Sequence, residues 1–380
     1  MLPTFILCTL LTLGYVLLMI VYNKGWAKQK DFSVPPLFIP NTRISVIIPA
    51  RNEARNIGAC LDAILAQIYP AGMCEIIVVD DHSEDDTAKI VAEYEDRNVR
   101  CISLSRYIPM GNQVNSFKKV AIAAGIAHSN GALIVTTDAD CIAPNAWLMH
   151  LAAIYEQENP VMVVAPVIYS SDQSVVQLFQ LIDFMSMQGI TAAAHSLKLG
   201  NMSNGANLAF RKTTFDRIGG YEGIQHLASG DDFLLMMKMN KFSPRSISYI
   251  KSAQATVSTA PQPDWSGFLQ QRIRWASKTG KYNDTRLTGI LLLVYAFNLS
   301  FLVLIIGSFF NPTLLFIMLC MLIAKVAAEY YFLVPVARFF HKDWVLKYFP
   351  FLQPLHIAYI IIAGFLGLMG SYEWKGRRVK

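Results

Sequence analysis

The sequence predicts an α/β fold with a mostly parallel sheet and with transmembrane helices at its amino and carboxyl ends. The first reason is composition: 53% of the 380 residues are hydrophobic and only 16% are charged, a balance too apolar for an ordinary soluble enzyme. The second is that the long apolar runs lie near the two ends of the chain. The third is the middle of the chain, where short β-branched runs alternate with segments of helical spacing.

The amino-terminal apolar run predicts a membrane anchor that is not cleaved. Residues 4–22 carry no charge and are long enough to cross a bilayer at about 1.5 Å per residue. Lys24, Lys28 and Lys30 follow the run, whereas a cleaved signal peptide carries its positive charge before the apolar core. We therefore expect an anchor over residues 1–24, with its amino terminus outside and the lysines in the cytosol.

Residues 284–380 are expected to form a carboxyl-terminal transmembrane region of about three apolar segments, at 287–310, 313–334 and 355–369. If the anchor and all three segments crossed, the basic tail KGRRVK would lie outside, against the usual preference for positive charge in the cytosol. We expect the last segment to be the one that does not cross, because it is short and follows Pro350 and Pro354.

The second of these segments contains two charges, Lys325 and Glu329. They are four residues apart, so they share one face of a helix and can neutralise each other. We expect a structural ion pair here rather than a transport site.

Residues 25–283 predict one cytosolic domain between the membrane segments. Its β-branched runs predict strands at 44–50, 75–81, 99–105, 132–140 and 161–169. Strands that alternate with helices imply a mostly parallel sheet with helices on both faces. Such sheets bind ligands at the carboxyl ends of their strands, so the polar residues that follow each strand are the candidate site.

Acidic residues follow two of the predicted strands. Asp80 and Asp81 end the second strand, and Asp138 and Asp140 end the fourth. Residues two apart in an extended chain face the same side, so Asp138 and Asp140 can both address one cation or one sugar nucleotide. Their oxygens suit Mg²⁺ or Mn²⁺, which can bridge the two phosphates of a nucleoside diphosphate. The alternative for so short a motif is a pair of solvated turn residues.

Six short motifs occur in one order along residues 42–280: PARNEARNI, VVDDHSEDDT, TDAD, NGANLAF, SGDD and QRIRW. In this order they resemble the family-2 glycosyltransferases with a GT-A fold, especially the membrane-bound kind that includes polysaccharide synthases and ceramide glucosyltransferases. The resemblance implies a GT-A nucleotide-sugar-binding domain. It also implies a metal-dependent enzyme that takes a sugar from a nucleotide sugar, expected to be UDP-linked, and inverts its anomeric centre.

The resemblance assigns a set of donor-binding residues. The nucleotide sugar is expected to contact Pro49, Ala50, Arg51, Glu53, Asp80, Asp81, Lys118 and Asp138, and the metal to bind Asp140. Which of Asp80 and Asp81 accepts a hydrogen bond from the base is left open. Lys119 is an alternative to Lys118, and either lysine could be a solvated helix charge.

The SGDD motif at residues 229–232 is expected to supply the general base. By resemblance, Asp232 removes the proton of the acceptor hydroxyl, and Asp231 lies beside it. A carboxylate within hydrogen-bond reach can take this proton as the hydroxyl attacks. The alternative is that Ser229 to Asp232 only begin the following helix, where carboxylates stabilise the amino end without catalysis.

Gln271, Arg274 and Trp275 fall on one face if a helix begins near Asp264. In membrane-bound relatives this QxxRW signature lies on a helix at the bilayer surface, near the acceptor and the departing diphosphate. A ring flanked by cations is suited to stacking on a sugar and to holding developing negative charge. The alternative is a Trp and Arg anchor at the membrane edge.

Two further segments complete the expected domain. Asn204 and Gly205, in NGANLAF, are expected to form an acceptor-side loop, where Gly205 permits close backbone approach. Residues 173–198 are apolar but contain Asp183 and His195, so they predict an amphipathic helix on the domain or the membrane surface rather than a span.

These observations predict an integral cell-membrane glycosyltransferase that acts on the cytosolic face, with a membrane lipid or a growing polysaccharide as acceptor. The small number of apolar segments favours a single transfer to a lipid over a processive polysaccharide synthase. The net charge of +6 lies near the ends of apolar runs, which does not favour a nucleic-acid partner. Six cysteines without CxxC spacing do not indicate zinc or disulfides. A sugar nucleotidyltransferase and an inactive membrane scaffold remain alternatives, and the oligomeric state is open.

Overall fold

The computed structural model describes residues 2–108, 116–171, 173–199, 202–227, 230–277, 284–368, 372–374 and 377–379. The chain forms two compact units. The sheet unit consists of Lys30–Ser170 and Asn201–Ala260, and the helical unit consists of Met1–Gln29, Ser171–Gly200 and Pro261–Lys380.

The strands in the described ranges are β1 (Ile44–Ala50), β2 (Cys74–Asp80), β3 (Val99–Ser103), β4 (Leu133–Thr136), β5 (Cys141–Ile142), β6 (Met162–Val164), β7 (Val167–Tyr169), β8 (Leu208–Arg211), β9 (Ile247–Tyr249), β10 (Val257–Thr259), β11 (Tyr372–Trp374) and β12 (Arg377–Val379). The α-helices there are α1 (Leu2–Lys28), α2 (Ile57–Leu65), α3 (Thr87–Ala92), α4 (Phe117–Ala127), α5 (Trp147–Glu158), α6 (Val175–Leu197), α7 (Lys212–Arg217), α8 (Phe233–Phe242), α9 (Trp265–Ala276), α10 (Thr285–Ser308), α11 (Pro312–Phe339) and α12 (Phe349–Leu368).

A seven-stranded sheet forms the core of the sheet unit, in the order β3-β2-β1-β4-β8-β6-β9. Strands β3, β2, β1 and β4 are parallel neighbours, as are β6 and β9, whereas β8 is antiparallel to β4 and β6. The predicted mostly parallel sheet is therefore confirmed. Strands β1, β2 and β4 are almost wholly buried, which explains why they read as continuous Ile and Val runs.

The strand register brings the predicted site residues to one edge of this sheet. Ala50 at the end of β1 pairs with Asp80 at the end of β2, and Ile47 of β1 pairs with Thr136 at the end of β4. The segments that follow β1, β2 and β4 therefore start side by side.

Two predicted strands differ from those observed. The run 161–169 was expected as one strand, but it forms β6 and β7, which belong to different sheets. Pro166, which has no N–H to donate to a ladder, lies between them. The fourth strand was expected to reach residue 140, but β4 ends at Thr136 and residues 139–140 form a turn, a conformation that aspartate favours.

The helical unit contains α1, α6, α9, α10, α11 and α12. Four helices in the described ranges, α1, α10, α11 and α12, are long and apolar enough to cross a membrane by length and composition. Pro350 and Pro354 were expected to break the chain just before the last segment, which is wrong because both lie within α12. Pro350 is the second residue of α12, where an N–H has no intrahelical acceptor and proline therefore costs nothing.

The expected helix over 173–198 is α6, which packs against α1 and α11 within this unit. Its side chains are buried along most of its length. The expected pair in α11 is also present, with Lys325 Nζ lying 2.6 Å from Glu329 Oε1.

Candidate active site

The loops that follow β1 and β2 are joined by hydrogen bonds. Arg51 Nη1 donates to the carbonyl oxygens of Asp81 and His82, at 2.9 Å in each case. The amide of Glu84 donates to Asn52 Oδ1 at 2.8 Å. Asn52 and His82 both have a φ of 53°, the left-handed conformation that Asn and His tolerate better than most residues. Arg51 thus fixes the two loops to each other.

Asp80 and Asp81 lie at the junction of these loops, and both are buried. Asp81 Oδ1 lies 3.0 Å from His82 Nδ1, and His82 Nε2 lies 2.9 Å from the carbonyl oxygen of Ile108. Asp80 Oδ1 accepts a hydrogen bond from the Ser83 amide at 3.4 Å. Each buried carboxylate therefore has a polar partner, as burial requires.

The other residues expected on the nucleotide side lie in the same two loops. Pro49 and Ala50 end β1, and the Ala50 carbonyl accepts a hydrogen bond from the Asp81 amide at 2.8 Å. The amide of Glu53 donates to Thr87 Oγ1 at 2.8 Å, which connects the first loop to the start of α3.

The turn after β4 gathers Asp138, Asp140 and Cys141. One carboxylate oxygen of each aspartate and the Cys141 Sγ lie within 4.8 Å of one another. Burial, followed by the negative charges of Asp138 and Glu53, raises the pKa of Asp140 from 3.8 to about 6. Burial also raises the pKa of the Cys141 thiol well above its usual value, which keeps it protonated. Two carboxylates that repel each other fit a hard divalent cation, and the neutral thiol does not.

Lys118, at the start of α4, connects this turn to the SGDD motif. Its Nζ lies 2.7 Å from Asp138 Oδ1 and 3.3 Å from Asp231 Oδ2. Burial alone would lower the pKa of Lys118, but the negative charges of Asp138, Asp231 and Asp232 raise it well above its usual value. Lys119 points elsewhere and donates to the carbonyl oxygens of residues 224 and 227. Of the two lysines, Lys118 is the one that meets the predicted carboxylates.

Asp232 is bound through both of its carboxylate oxygens. Oδ1 accepts a hydrogen bond from the Phe233 amide at 2.7 Å, and Oδ2 accepts one from the Gly205 amide at 3.0 Å. Asp232 is the N-cap of α8, so the capping interaction considered as an alternative is present. Ser229, the first residue of that motif, lies outside the described residues. Each oxygen of Asp232 accepts one such bond and retains a lone pair.

Gly205 lies against the SGDD motif. A Cβ added there would lie 3.1 Å from Asp231 Oδ2 and 3.5 Å from Lys118 Nζ, so the close approach expected from the sequence is present. Asn204 closes its own turn, since its Oδ1 accepts a hydrogen bond from the Ala206 amide at 3.1 Å.

Asn207 was not among the site residues predicted from the sequence. Its fully buried amide accepts a hydrogen bond from Trp147 Nε1 at 2.8 Å and donates to the carbonyl oxygens of Pro166 and Ala255, at 2.7 and 2.8 Å. These three contacts fix the chain directly after Gly205. A buried-core position in NGANLAF that holds Asn rather than an apolar residue was the available signal.

The QRIRW residues lie on α9 in the helical unit. The helix begins as predicted: the Asp264 side chain caps it by accepting a hydrogen bond from the Gly267 amide at 2.8 Å. Gln271, Arg274 and Trp275 are all partly exposed. Among the described residues, Arg274 has no ion-pair partner for its guanidinium.

Arg272, which was not predicted as a functional residue, is the buried charged residue of this motif. Its Nε and Nη2 donate to Asp183 Oδ2 of α6 at 2.9 and 2.6 Å. Its Nη1 donates to Gln271 Oε1 at 2.8 Å, and its guanidinium carbon lies 4.3 Å from the centroid of the Trp275 ring. Two of the three predicted α9 residues therefore contact Arg272.

Two protein-family models match the sequence of this chain. The one described as Glycosyl transferase family 2 covers residues 45–218, and the one described as Glycosyl transferase family group 2 covers residues 133–332. Glycosyltransferase AglE of Haloferax volcanii is 28% identical over 192 residues, which are 50% of this chain and 58% of that protein. The dolichyl-phosphate beta-glucosyltransferase of Homo sapiens is 32% identical over 125 residues, which are 30% of this chain and 36% of that protein. This chain thus spans less than two thirds of either relative.

A solved structure also resembles this chain over nearly its whole length. The mannosyltransferase PcManGT from Pyrobaculum calidifontis, in complex with GDP-Man and Mn²⁺, superposes with a TM-score of 0.59 at 21% identity. The match covers 96% of this chain and 98% of PcManGT. At this identity the likeness shows a shared fold, which agrees with the predicted GT-A domain carrying apolar helices.

Proposed function

This chain belongs to the family 2 glycosyltransferases, and on that basis we propose that it is a membrane-bound inverting enzyme that transfers a sugar from a UDP-linked donor to a membrane lipid. The observation that carries the proposal is the convergence of Lys118 with Asp138, Asp231 and the Gly205 loop in the sheet unit. This arrangement combines an acidic turn, a lysine and a candidate base at the carboxyl edge of a parallel sheet.

The nucleoside would bind between the loops after β1 and β2. Pro49, Ala50 and Glu53 would line this site, and Arg51 would hold its two walls together through the carbonyls of the second loop. Asp80 or Asp81 would accept a hydrogen bond from the base, because a carboxylate can accept several hydrogen bonds and both side chains lie at this edge of the sheet.

Asp140 and Asp138 would hold a divalent cation, Mg²⁺ or Mn²⁺. Their oxygens are close enough to share one ion. Burial, followed by the charges of Asp138 and Glu53, raises the pKa of Asp140, and a bound cation would favour its ionised form. When bound, such an ion supplies positive charge to the two phosphates of the donor. Lys118, already paired with Asp138, would add a second positive charge for the same phosphates.

Asp232 would act as the general base. The acceptor oxygen forms a bond to the anomeric carbon while the bond from that carbon to the diphosphate oxygen breaks. The acceptor proton passes to Asp232, and the nucleoside diphosphate leaves with the bonding electrons. The Gly205 and Phe233 amides orient the Asp232 carboxylate, and a free lone pair remains for the incoming proton. Displacement in one step inverts the anomeric centre, so an α-linked donor gives a β-linked product.

The proposed acceptor site rests on the sequence motifs QRIRW and NGANLAF. Gln271, Arg274 and Trp275 are proposed as ligands of the acceptor or of the departing diphosphate, and Asn204 with Gly205 as the acceptor-side loop. The four long apolar helices and the human relative named for a dolichyl phosphate acceptor support a lipid as the acceptor. Lys24 and Lys28, near the carboxyl end of α1, and Lys30, directly after it, support a cytosolic position for the sheet unit.

A donor panel tests this proposal. Membranes that contain the protein are incubated with radiolabelled UDP-sugars and GDP-sugars in Mn²⁺ or Mg²⁺, and the products are separated into solvent-extractable lipid and polymer. We expect label from one UDP-sugar in the lipid fraction, and no label with an Asp140→Asn variant. Label in polymer would support a processive synthase instead. Label from a GDP-sugar alone would contradict the assigned donor, and no transfer from any donor would contradict the proposed activity.

A further inference from the structure

Three long helices of the helical unit, α1, α10 and α11, are aligned along a common direction and form a bundle. α1 and α11 run parallel, because Tyr15 donates a hydrogen bond to Glu329 and, nearer their carboxyl ends, the rings of Trp26 and Phe339 lie 5.4 Å apart. α10 joins α11 through a short turn and therefore runs antiparallel to both. Phe297 of α10 stacks on Tyr15, with ring centroids 4.3 Å apart. Tyr15 thus marks one level along this three-helix bundle.

The start of α12 meets the bundle at this level. The Phe349 ring lies 6.2 Å from the ring of Tyr330, which adjoins Glu329 in α11. One turn later, Gln353 Oε1 accepts a hydrogen bond from Lys325 Nζ at 2.6 Å, and Gln353 Nε2 donates to Glu329 Oε2 at 2.7 Å.

The end of α12 meets the bundle at the same level. A Cβ at Gly364 would lie 2.5 Å from the ring of Tyr295, and Tyr295 is two residues before the Phe297 that stacks on Tyr15. From Phe349 to Gly364 a helix extends about 22 Å at 1.5 Å per residue. If α12 ran along the bundle, one of these contacts would lie about 22 Å from the Tyr15 level. α12 therefore lies across the bundle axis.

One face of α12 is polar and packs against the helical unit, whereas the other is apolar and exposed, as expected for a helix that lies between protein and lipid. Its inward face carries polar groups, with Gln353 bound to the Lys325 and Glu329 pair and Tyr359 donating to Asp183. Its outward face exposes the large apolar side chains Phe351, Leu355, Ile362, Phe365 and Leu368. An exposed apolar face beside membrane-spanning helices needs a lipid cover.

We propose that α12 does not cross the membrane but lies in the plane of the cytosolic leaflet, with its apolar face against the acyl chains and headgroups. The chain then crosses the bilayer three times, through α1, α10 and α11. On α1 the large exposed apolar side chains extend from Leu2 to Ile20, and Lys24 follows. Tyr15 therefore lies in the half of the bilayer nearer Lys24, and α12 lies there with it.

This orientation removes the conflict found in the sequence. With three crossings, the basic tail that follows α12 lies on the same side as Lys24 and Lys28, where positive charge is preferred. Lys342 and Lys347, directly before α12, lie on that side as well. The length and apolar composition of α12 suit an in-plane helix as well as a span, because composition does not determine direction.

Two terminal tags test the number of crossings without altering the fold. One epitope is fused before Met1 and another after Lys380 of the full chain, and sealed vesicles of one orientation are treated with protease. We expect the two tags to behave oppositely, one digested and the other protected. Equal digestion or equal protection of both tags overturns the proposal, because two tags on the same side mean an even number of crossings. The result does not depend on the enzyme having any activity.

A depth measurement tests the direction of α12 itself. Nitroxide labels are attached to Phe351→Cys, Ala358→Cys or Phe365→Cys in a variant whose native cysteines are replaced, and membrane depth is read from collisions with oxygen and a polar nickel complex. The matched control is Ile6→Cys, Leu13→Cys and Ile20→Cys on α1, which are also exposed and have the same spacing along the helix. This depth is measured from the nearer membrane surface, so the central label of a spanning helix lies about 5–10 Å deeper than its end labels, whereas the three labels of an in-plane helix lie at similar depths. We expect the first pattern for α1 and the second for α12. A central label that is equally deeper in both helices would overturn the proposal.

Discussion

Arg272 donates two hydrogen bonds to one carboxylate oxygen of Asp183, from Nε at 2.9 Å and from Nη2 at 2.6 Å. Both side chains are buried within the helical unit, and Tyr359 donates to the other oxygen of Asp183. The pair ties α9 to α6 and α12. One arginine of the QRIRW motif is thus held in a structural ion pair, and it in turn contacts Gln271 and Trp275.

We predict that Asp183→Asn lowers the free energy of unfolding by about 3–5 kcal/mol, because Arg272 is left as a buried charge without its partner. The double variant Asp183→Asn with Arg272→Met should recover most of this loss, since no unpaired charge remains. Thermal unfolding of the purified protein in detergent measures both. The control is Asp62→Asn, which removes an exposed partner of Arg97 and should change little. A single variant as stable as the wild type contradicts the ion-pair assignment.

Asp232→Asn should lower the transfer rate by about 10²–10⁴-fold, the usual contribution of a general base, while nucleotide affinity stays within about twofold. Asparagine caps helices as well as aspartate does, so α8 should persist, although its single acceptor oxygen leaves either the Gly205 or the Phe233 amide without this partner. Steady-state transfer and titration with UDP in Mn²⁺ separate the two effects. An acceptor whose nucleophile is a phosphate has no proton to lose at neutral pH. A loss of less than tenfold would therefore indicate such an acceptor and remove the role of base from Asp232.

We predict that Asp140 makes stability depend on pH in opposite directions without and with a bound metal ion. Its pKa is raised from 3.8 to about 6, so in EDTA its contribution to stability is full below about pH 4 and is lost as pH rises through 6. Metal binding needs the ionised carboxylate, so stabilisation by Mn²⁺ should appear as pH rises through about 6. Tm measured at about pH 5 and about pH 7.5 with EDTA or MnCl₂ tests this. Asp140→Asn should abolish the Mn²⁺ effect, and an equal Mn²⁺ shift at both pH values contradicts the assignment.

The sheet was predictable because its strands are covered on both faces, which makes β1 and β2 continuous apolar runs with clear ends. The carboxylates at those ends were predictable for the same reason. The division of 161–169 was not, because its two halves are equally apolar and only Pro166 separates them. Apolar pattern alone does not say which sheet a strand joins.

The sequence also could not predict which of two nearby identical residues faces the site. Lys118 and Lys119 differ by about 100° around α4, and only the packing of that helix decides which one faces Asp138. Arg272 and Arg274 present the same problem on α9. Asp183, about 90 positions earlier in the chain, selects Arg272, and no local pattern connects the two.

This division between the two arginines predicts different consequences for their removal. Arg274 is partly exposed and has no ion pair with any described residue, so Arg274→Ala should leave Tm within about 1 °C, as is usual for surface changes. If it binds the departing diphosphate, transfer should fall by about 10²-fold or more, as when a charge-stabilising donor is lost. Arg272→Ala is the matched comparison and should lower Tm clearly, because Asp183 is then a buried unpaired carboxylate. Measuring Tm and transfer for both variants separates the two roles. Normal transfer by Arg274→Ala would leave the motif with a structural role alone.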